Sequence, residues 1–207
     1  MPAVCLSTAY LAPVQYYCRM YASGQVVIEA CENYVKQTYR NRCLIAAGNG
    51  VQSLTAPVEK PPNGKCLTKD IRISEHGHWR QKHWRALATA YGSSPFFEYF
   101  KDDFAPFYHR KYTFLFDFNE ALREMICTLL DIRLRVRYSA RYETSVPNDF
   151  RESIRPGQTV RDDTFRPYPY PQVFAGRHGF LPDLSIADLL FNMGPESVQV
   201  IKDSMRG

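Results

Sequence analysis

The densest run of chemistry-capable side chains spans residues 32–42, ENYVKQTYRNR. Lys36, Arg40 and Arg42 could hold a phosphate or carboxylate, arginine doing so through a bidentate fork. Glu32 could orient a base or hold an amine. Tyr34 and Tyr39 offer hydroxyls and flat faces. The plain alternative is a surface loop with solvated charges. The run follows QVVIEA (25–30), which reads as a buried strand, and in open α/β sheets ligands bind beyond the carboxyl ends of strands.

His83 is the second candidate. Trp79, Trp84 and Tyr91 surround it in sequence, with Lys82 and Arg85 beside it. A partly buried histidine can act as general base or acid near neutral pH; the alternative is a core histidine with a satisfied hydrogen bond. His76, His78 and His83 together suggest a metal, but no further ligand at a standard spacing completes a tetrahedral set, and no metal site is assigned. Cys43 follows two arginines, which would favour its thiolate, and a Cys43–His83 pair could carry acyl transfer. Cys43 also opens an apolar strand, where a small buried side chain is expected. Arg133, Arg135 and Arg137 alternate with Ile132, Leu134 and Val136 and form a basic face. No phosphate-binding loop, dinucleotide fingerprint, nucleophile elbow or zincin motif occurs.

The elements that must position these groups can be read in order. Residues 4–10 form a strand, 13–22 an amphipathic helix ended by Gly24, and 25–30 a second strand. Together they make a βαβ unit. Gly48-Asn49-Gly50 joins 43–47 and 51–58 in a hairpin. Pro61-Pro62-Asn63-Gly64 is a turn, and 69–74 a short edge-like strand. Helices are expected over 78–91, over 95–109 with Ser94 as cap and Pro95 at its first position, and over 118–131 capped by Asp117. A strand at 132–138 precedes a Pro-rich extended loop at 145–172. Helices near 184–192, capped by Ser185, and from Pro195 to Met205 close the chain. The fold class expected is a single α/β domain over 1–207 with a mixed β-sheet, starting with a βαβ unit and flanked by several helices.

With 207 residues, the chain is long enough to bury a core without disulfides. Its six cysteines form no C-x-x-C, and no secretory signal or apolar run of membrane-spanning length is seen, so a cytoplasmic protein with reduced thiols is expected. A net charge of +5 permits an anionic ligand but is too small to argue for nucleic acid. The 14 Tyr and 13 Phe exceed what an aliphatic core needs. The phenylalanines from Phe96 to Phe118 read as core. Tyr10, Tyr16, Tyr34, Tyr39 and Tyr91 read as lining a polar pocket near His83. The sequence specifies neither a cofactor nor an oligomeric state.

STAYLAPVQYY, ENYVKQTYRNRC, LTAPV and HWRQKHWRALATAYGSSPFFEYF, followed by FDFNEALREMICTLLDI and SIADLLFNMGPESV, together resemble the WbqC-like protein family. The resemblance covers most of the chain outside 145–172. It implies a role in O-antigen or other surface-polysaccharide gene clusters, with glycyl transfer as one activity proposed in the family. It carries over Tyr16, Tyr34, Arg40, Asn41 and Arg42, Pro57, and His83 with Tyr91. Many members begin with a Gln-Pro pair and a Pro-x-x-Gly-Tyr step; here Thr8-Ala9 and Pro13-Val14-Gln15-Tyr16 stand instead. On this reading the chain is a transferase acting on a sugar precursor by aminoacyl or acyl transfer. His83 would be the base and Glu32 a second catalytic group. Tyr16, Tyr34, Lys36, Tyr39, Arg40, Asn41, Arg42 and Tyr91 would contact an anionic small molecule or sugar nucleotide. The alternative is a non-catalytic nucleotide-sugar or partner-binding protein.

Overall fold

In the computed structural model, which describes residues 3–61, 64–157 and 162–205, strand β1 (Val4–Ser7), helix α1 (Val14–Ser23) and strand β2 (Gln25–Glu29) form the expected βαβ unit. β1 and β2 pair in parallel, with Val4 opposite Val26 and Ser7 opposite Glu29. Side chains alternate along each strand, so Val4, Leu6, Val26 and Ile28 face inward and are all but sealed from solvent. Each such side chain contributes about 1.5–3 kcal/mol on burial. α1 packs back across both strands. Gly24 ends α1 in the left-handed region at φ 65°, its N–H reaching the Met20 carbonyl. The other end of α1 is capped from afar, because Asp183 Oδ1 accepts the Gln15 N–H at 2.9 Å.

β3 (Arg42–Ala47) and β4 (Gly50–Thr55) form the antiparallel hairpin around Gly48 and Asn49. The β-structure is thus mixed, a parallel sheet and an antiparallel hairpin within one α/β domain. The strand expected at 69–74 is instead a 3-10 turn, Thr68–Asp70, followed by isolated bridges at Arg72 and Ile73. Its backbone is shared among several neighbours: Thr68 N–H bonds to Glu32, Ile71 C=O to Leu115, and Ile73 N–H to Thr113. No single partner strand remains. Of the turn at 61–64, Pro62 and Asn63 lie outside the described residues.

The second half supplies α2 (Trp79–Tyr91), α3 (Phe97–His109), α4 (Leu115–Leu129), strand β5 (Arg135–Tyr138), α5 (Ala175–His178), α6 (Ile186–Met193) and α7 (Ser197–Asp203). α2 buries Trp79, His83, Leu87, Ala90 and Tyr91, whereas Trp84 and Ala88 are only half-buried. α3 starts later than expected because the Ser94 hydroxyl turns back to the Tyr91 carbonyl at 2.6 Å and does not cap it. α4 starts earlier, leaving Asp117 in its first turn. Ser185 caps α6 as expected, its hydroxyl accepting the Ala187 N–H. The last helix opens with a 3-10 turn, Gly194–Glu196. No helix among the described residues is long and apolar enough to cross a membrane.

β5 is shorter than the alternating 132–138 pattern and pairs in parallel with β2. Arg133, Arg135 and Arg137 face solvent. Beyond it the chain crosses to the far edge of β1, where Cys5 N–H bonds to Asn148 C=O at 3.0 Å and Phe150 N–H to Cys5 C=O at 2.9 Å. The described part of 145–172 contains neither helix nor extended strand, yet Arg151, Ile154, Tyr170 and Gln172 are buried. Its end is tied to α6: Tyr170 Oη and Gln172 Nε2 both donate to Asp188 Oδ2, at 2.7 and 2.9 Å.

Candidate site at the carboxyl end of the parallel sheet

Ser7 and Glu29 are the last residues of β1 and β2, stand opposite each other in register, and are buried. Alternation turns them away from Leu6 and Ile28, onto the opposite face of the sheet. Ser139 follows β5 directly. Its hydroxyl donates to Glu29 Oε1 at 2.5 Å and accepts the Ala30 N–H at 2.9 Å. Glu29 also receives the Cys31 N–H at 2.8 Å and Arg151 Nη1 at 2.9 Å. Arg151 forks onto Asp149 at 2.9 and 2.6 Å and bonds the Glu143 carbonyl at 2.8 Å. These bonds hold the Asp149 carboxyl below the usual range.

A second pair adjoins the first. Arg40 grips Glu32 through Nε at 2.7 Å and Nη2 at 2.6 Å. Nη2 also donates to Ser7 Oγ at 2.8 Å and reaches Glu152 at 3.2 Å. Tyr16 donates to the Ser7 carbonyl at 3.0 Å. Asn119 Nδ2 donates to the Arg40 carbonyl at 2.8 Å, and Asn41 Nδ2 to that of Ala56 at 2.9 Å. A third pair, Glu120 with Arg123 at 2.7 Å, takes the Thr8 hydroxyl at 3.0 Å.

Two openings meet this cluster. The cleft over Ser7, Tyr16, Tyr39 and Arg40 has a free volume of about 10 Å³, room for a single water. A cavity of about 570 Å³ lies between that face of the sheet and the strap 139–147. Ala3, Cys5, Val27, Val146 and Pro147 make its walls mainly apolar, and Glu29, Ser139, Arg141 and Glu143 supply its polar groups. Its size suits a small-molecule ligand.

The sequence-derived residues separate into two places. Glu32, Arg40, Tyr16 and Asn41 belong to the buried framework. Tyr39 is buried too, its carbonyl accepting the Tyr10 N–H. Tyr34 and Arg42 are half-buried, and Lys36 is exposed on the same loop. Burial lifts the Tyr34 hydroxyl to about 12. His83 and Tyr91 do not join them. His83 is 6% exposed; Tyr10 Oη meets its Nδ1 at 2.9 Å, Tyr108 Oη meets Tyr10 Oη at 2.9 Å, and Trp79 packs edge-on. Burial pulls its pKa down to about 4, so it is neutral at pH 7. Tyr91 is sealed, its hydroxyl accepting the Ala46 N–H at 3.1 Å. The tyrosines therefore do not gather around one open pocket: Tyr10 and Tyr91 belong to the core. Cys43 is fully buried, and burial raises its thiol pKa. His76 and His78 are exposed while His83 is interior, and no group of three or more His, Cys, Asp or Glu among the described residues could hold a metal ion.

Reading the sequence alone misses Ser7, Glu29, Ser139, Asp149 and Arg151. The signal available was position: Ser7 and Glu29 end predicted parallel strands, where such folds place their sites.

The fold and cluster define an α/β domain with a charge-paired site at the carboxyl end of a short parallel sheet. The chain belongs to the WbqC-like protein family, whose pattern matches residues 8–154. That span takes in the 32–42 loop, α2, β5 and Arg151, and stops before most of the Pro-rich segment. The chain is also 28% identical over 194 residues to the uncharacterized protein Rv1507c of Mycobacterium tuberculosis (strain ATCC 25618 / H37Rv), covering 82% of this chain and 84% of that protein. No solved structure matches the chain.

Proposed function

We propose that the chain is a transferase of surface-polysaccharide biosynthesis that passes an aminoacyl or acyl group to a sugar precursor at the carboxyl end of its parallel sheet. The observation that carries this reading is the Ser139–Glu29 pair, a hydroxyl 2.5 Å from a carboxylate on the wall of the 570 Å³ cavity. Glu29 is placed to take the proton of a hydroxyl or amine that replaces Ser139 as its donor. The acceptor oxygen or nitrogen then bonds to the donor carbonyl, and the departing thiol or alcohol takes up the proton. Arg151 fixes the carboxylate. Of the loop residues offered as ligand contacts, Lys36 is exposed and Tyr34 and Arg42 are half-buried, beside the openings and not in their walls, whereas Glu32 and Arg40 act as a frame. The base role falls to Glu29 and not His83, because His83 is enclosed by Tyr10 and Trp79.

A second reading, a non-catalytic binder of a sugar nucleotide, is favoured by Cys43 and His83 both lying in the core. Mass spectrometry of UDP-sugars incubated with glycyl and short acyl thioesters tests both. A sugar product gaining the glycyl or acyl mass, lost in Glu29→Gln with the circular dichroism spectrum retained, supports transfer. Binding of the UDP-sugar without turnover overturns transfer in favour of the binder; neither binding nor turnover overturns both.

A further inference from the structure

A second groove, sharing no residue with the carboxyl-end site, lies between α2 and the β3–β4 hairpin. Its volume is about 340 Å³. Lys82, Arg85 and Thr89 fall three and four residues apart along α2, so they line one face of the helix. Gly48 and Gln52 form the hairpin side, and Phe174 closes one end. Arg177 joins them: its Nη1 lies 3.9 Å from where a Cβ on Gly48 would stand. The turn carrying Phe174 and Arg177 is pinned, since His178 Nε2–H donates to the Gly48 carbonyl at 3.2 Å. The Arg177 and His178 N–H groups both bond to the Phe174 carbonyl, at 2.9 and 3.0 Å.

The charge balance here is the reverse of that at the carboxyl end. There, Arg40, Arg123 and Arg151 are each matched by a buried carboxylate. Here no carboxylate lines the groove, and Lys82, Arg85 and Arg177 form no ion pair among the described residues. Three like charges around one concavity repel one another, and a multivalent anion relieves that repulsion. Thr89 and Gln52 add hydrogen-bonding groups, and the half-buried Phe174 ring offers a flat wall. We propose that this groove binds a diphosphate carrying a planar ring, a nucleoside diphosphate, with Lys82, Arg85 and Arg177 on the phosphates and Phe174 against the ring.

Calorimetric titration of the full chain with inorganic pyrophosphate and with UDP, at low and at physiological salt, tests this. Both ligands are expected to bind, UDP more tightly. Arg85→Gln and Arg177→Gln should each weaken both by about tenfold, and Phe174→Ala should remove the advantage of UDP alone. Arg133→Gln, which removes an exposed cation outside both sites, should leave both affinities unchanged, and because pyrophosphate carries neither sugar nor acyl group, failure of the transferase reading would not touch its binding here. Lys82, Arg85 and Arg177 are exposed and Phe174 is half-buried, and circular dichroism checks the folding of each variant. Sulfate binding as tightly as pyrophosphate, or unchanged affinity in the Lys82→Gln/Arg85→Gln/Arg177→Gln triple variant, overturns the proposal. Pyrophosphate binding with no gain for UDP overturns the assignment of the ring.

Discussion

Arg151 and Glu29 meet at 2.9 Å across 122 residues of sequence, and both are almost wholly buried. The guanidinium joins a strand end to a segment with no regular structure. Low dielectric strengthens such a pair, but its desolvation cost means that removing one partner is worse than never having either.

Arg151→Met should therefore destabilise the chain by about 3–5 kcal/mol, because Glu29 keeps a buried charge without its cation. The double variant Arg151→Met/Glu29→Leu should recover a large part of that loss. Urea denaturation of the three proteins checks this; a double variant as unstable as the single one would refute the interpretation.

Arg40 is one of three cations, with Lys36 and Arg42, that the sequence offers as anion holders, yet its fork is spent on Glu32, Ser7 and Glu152. Lysine cannot reproduce two parallel bonds to one carboxylate. Arg40→Lys should cost about 2 kcal/mol of stability, with no change in UDP affinity. An unchanged urea midpoint would show that the fork contributes nothing.

His83 makes stability depend on pH. Below its ordinary value of 6.5 the unfolded chain takes up a proton that the folded chain refuses until about pH 4. The unfolded state then binds more protons, so stability falls as pH drops through that window, by on the order of 3 kcal/mol. His83→Gln should flatten this slope. Nuclear magnetic resonance titration of the His83 ring checks the premise, and a midpoint near the ordinary value would contradict it.

Cys43 should be inert in the folded protein, because burial both hides the sulfur and disfavours the thiolate. Timed iodoacetamide labelling with peptide mass mapping should find the half-buried Cys31 and Cys66 first, and Cys43 only after denaturant is added. Early labelling of Cys43 would restore it as a nucleophile.

Arg40, Arg151 and His83 also show how much of the site is legible in the sequence. The βαβ unit was legible because apolar strand, amphipathic helix and Gly24 agree with one another at every local level. The hairpin was legible because Gly48-Asn49-Gly50 has few other uses. Glu32 and Arg40 stood out by type, but not their commitment to each other, since pairing depends on how the loop folds back. Arg151 and Asp149 sat in a stretch without periodicity, and their partner Glu29 lay more than a hundred residues away. No local pattern announces such a contact. His83 looked polar on a helix otherwise read as apolar on one face; only the packing of Tyr10 and Trp79 around it decides that it is interior.

The segment 148–150, which closes the far edge of β1, sets an order of events during synthesis. Ser7 finds a partner 144 residues downstream, where its hydroxyl donates to the Arg151 carbonyl. At roughly 5–20 residues per second, β1 waits on the order of ten seconds or more on the ribosome with one edge open and its apolar face seeking cover. An unpaired, apolar strand edge is a template for wrong partners. Between the emergence of β2 and that of Arg151 the nascent chain therefore carries that edge open.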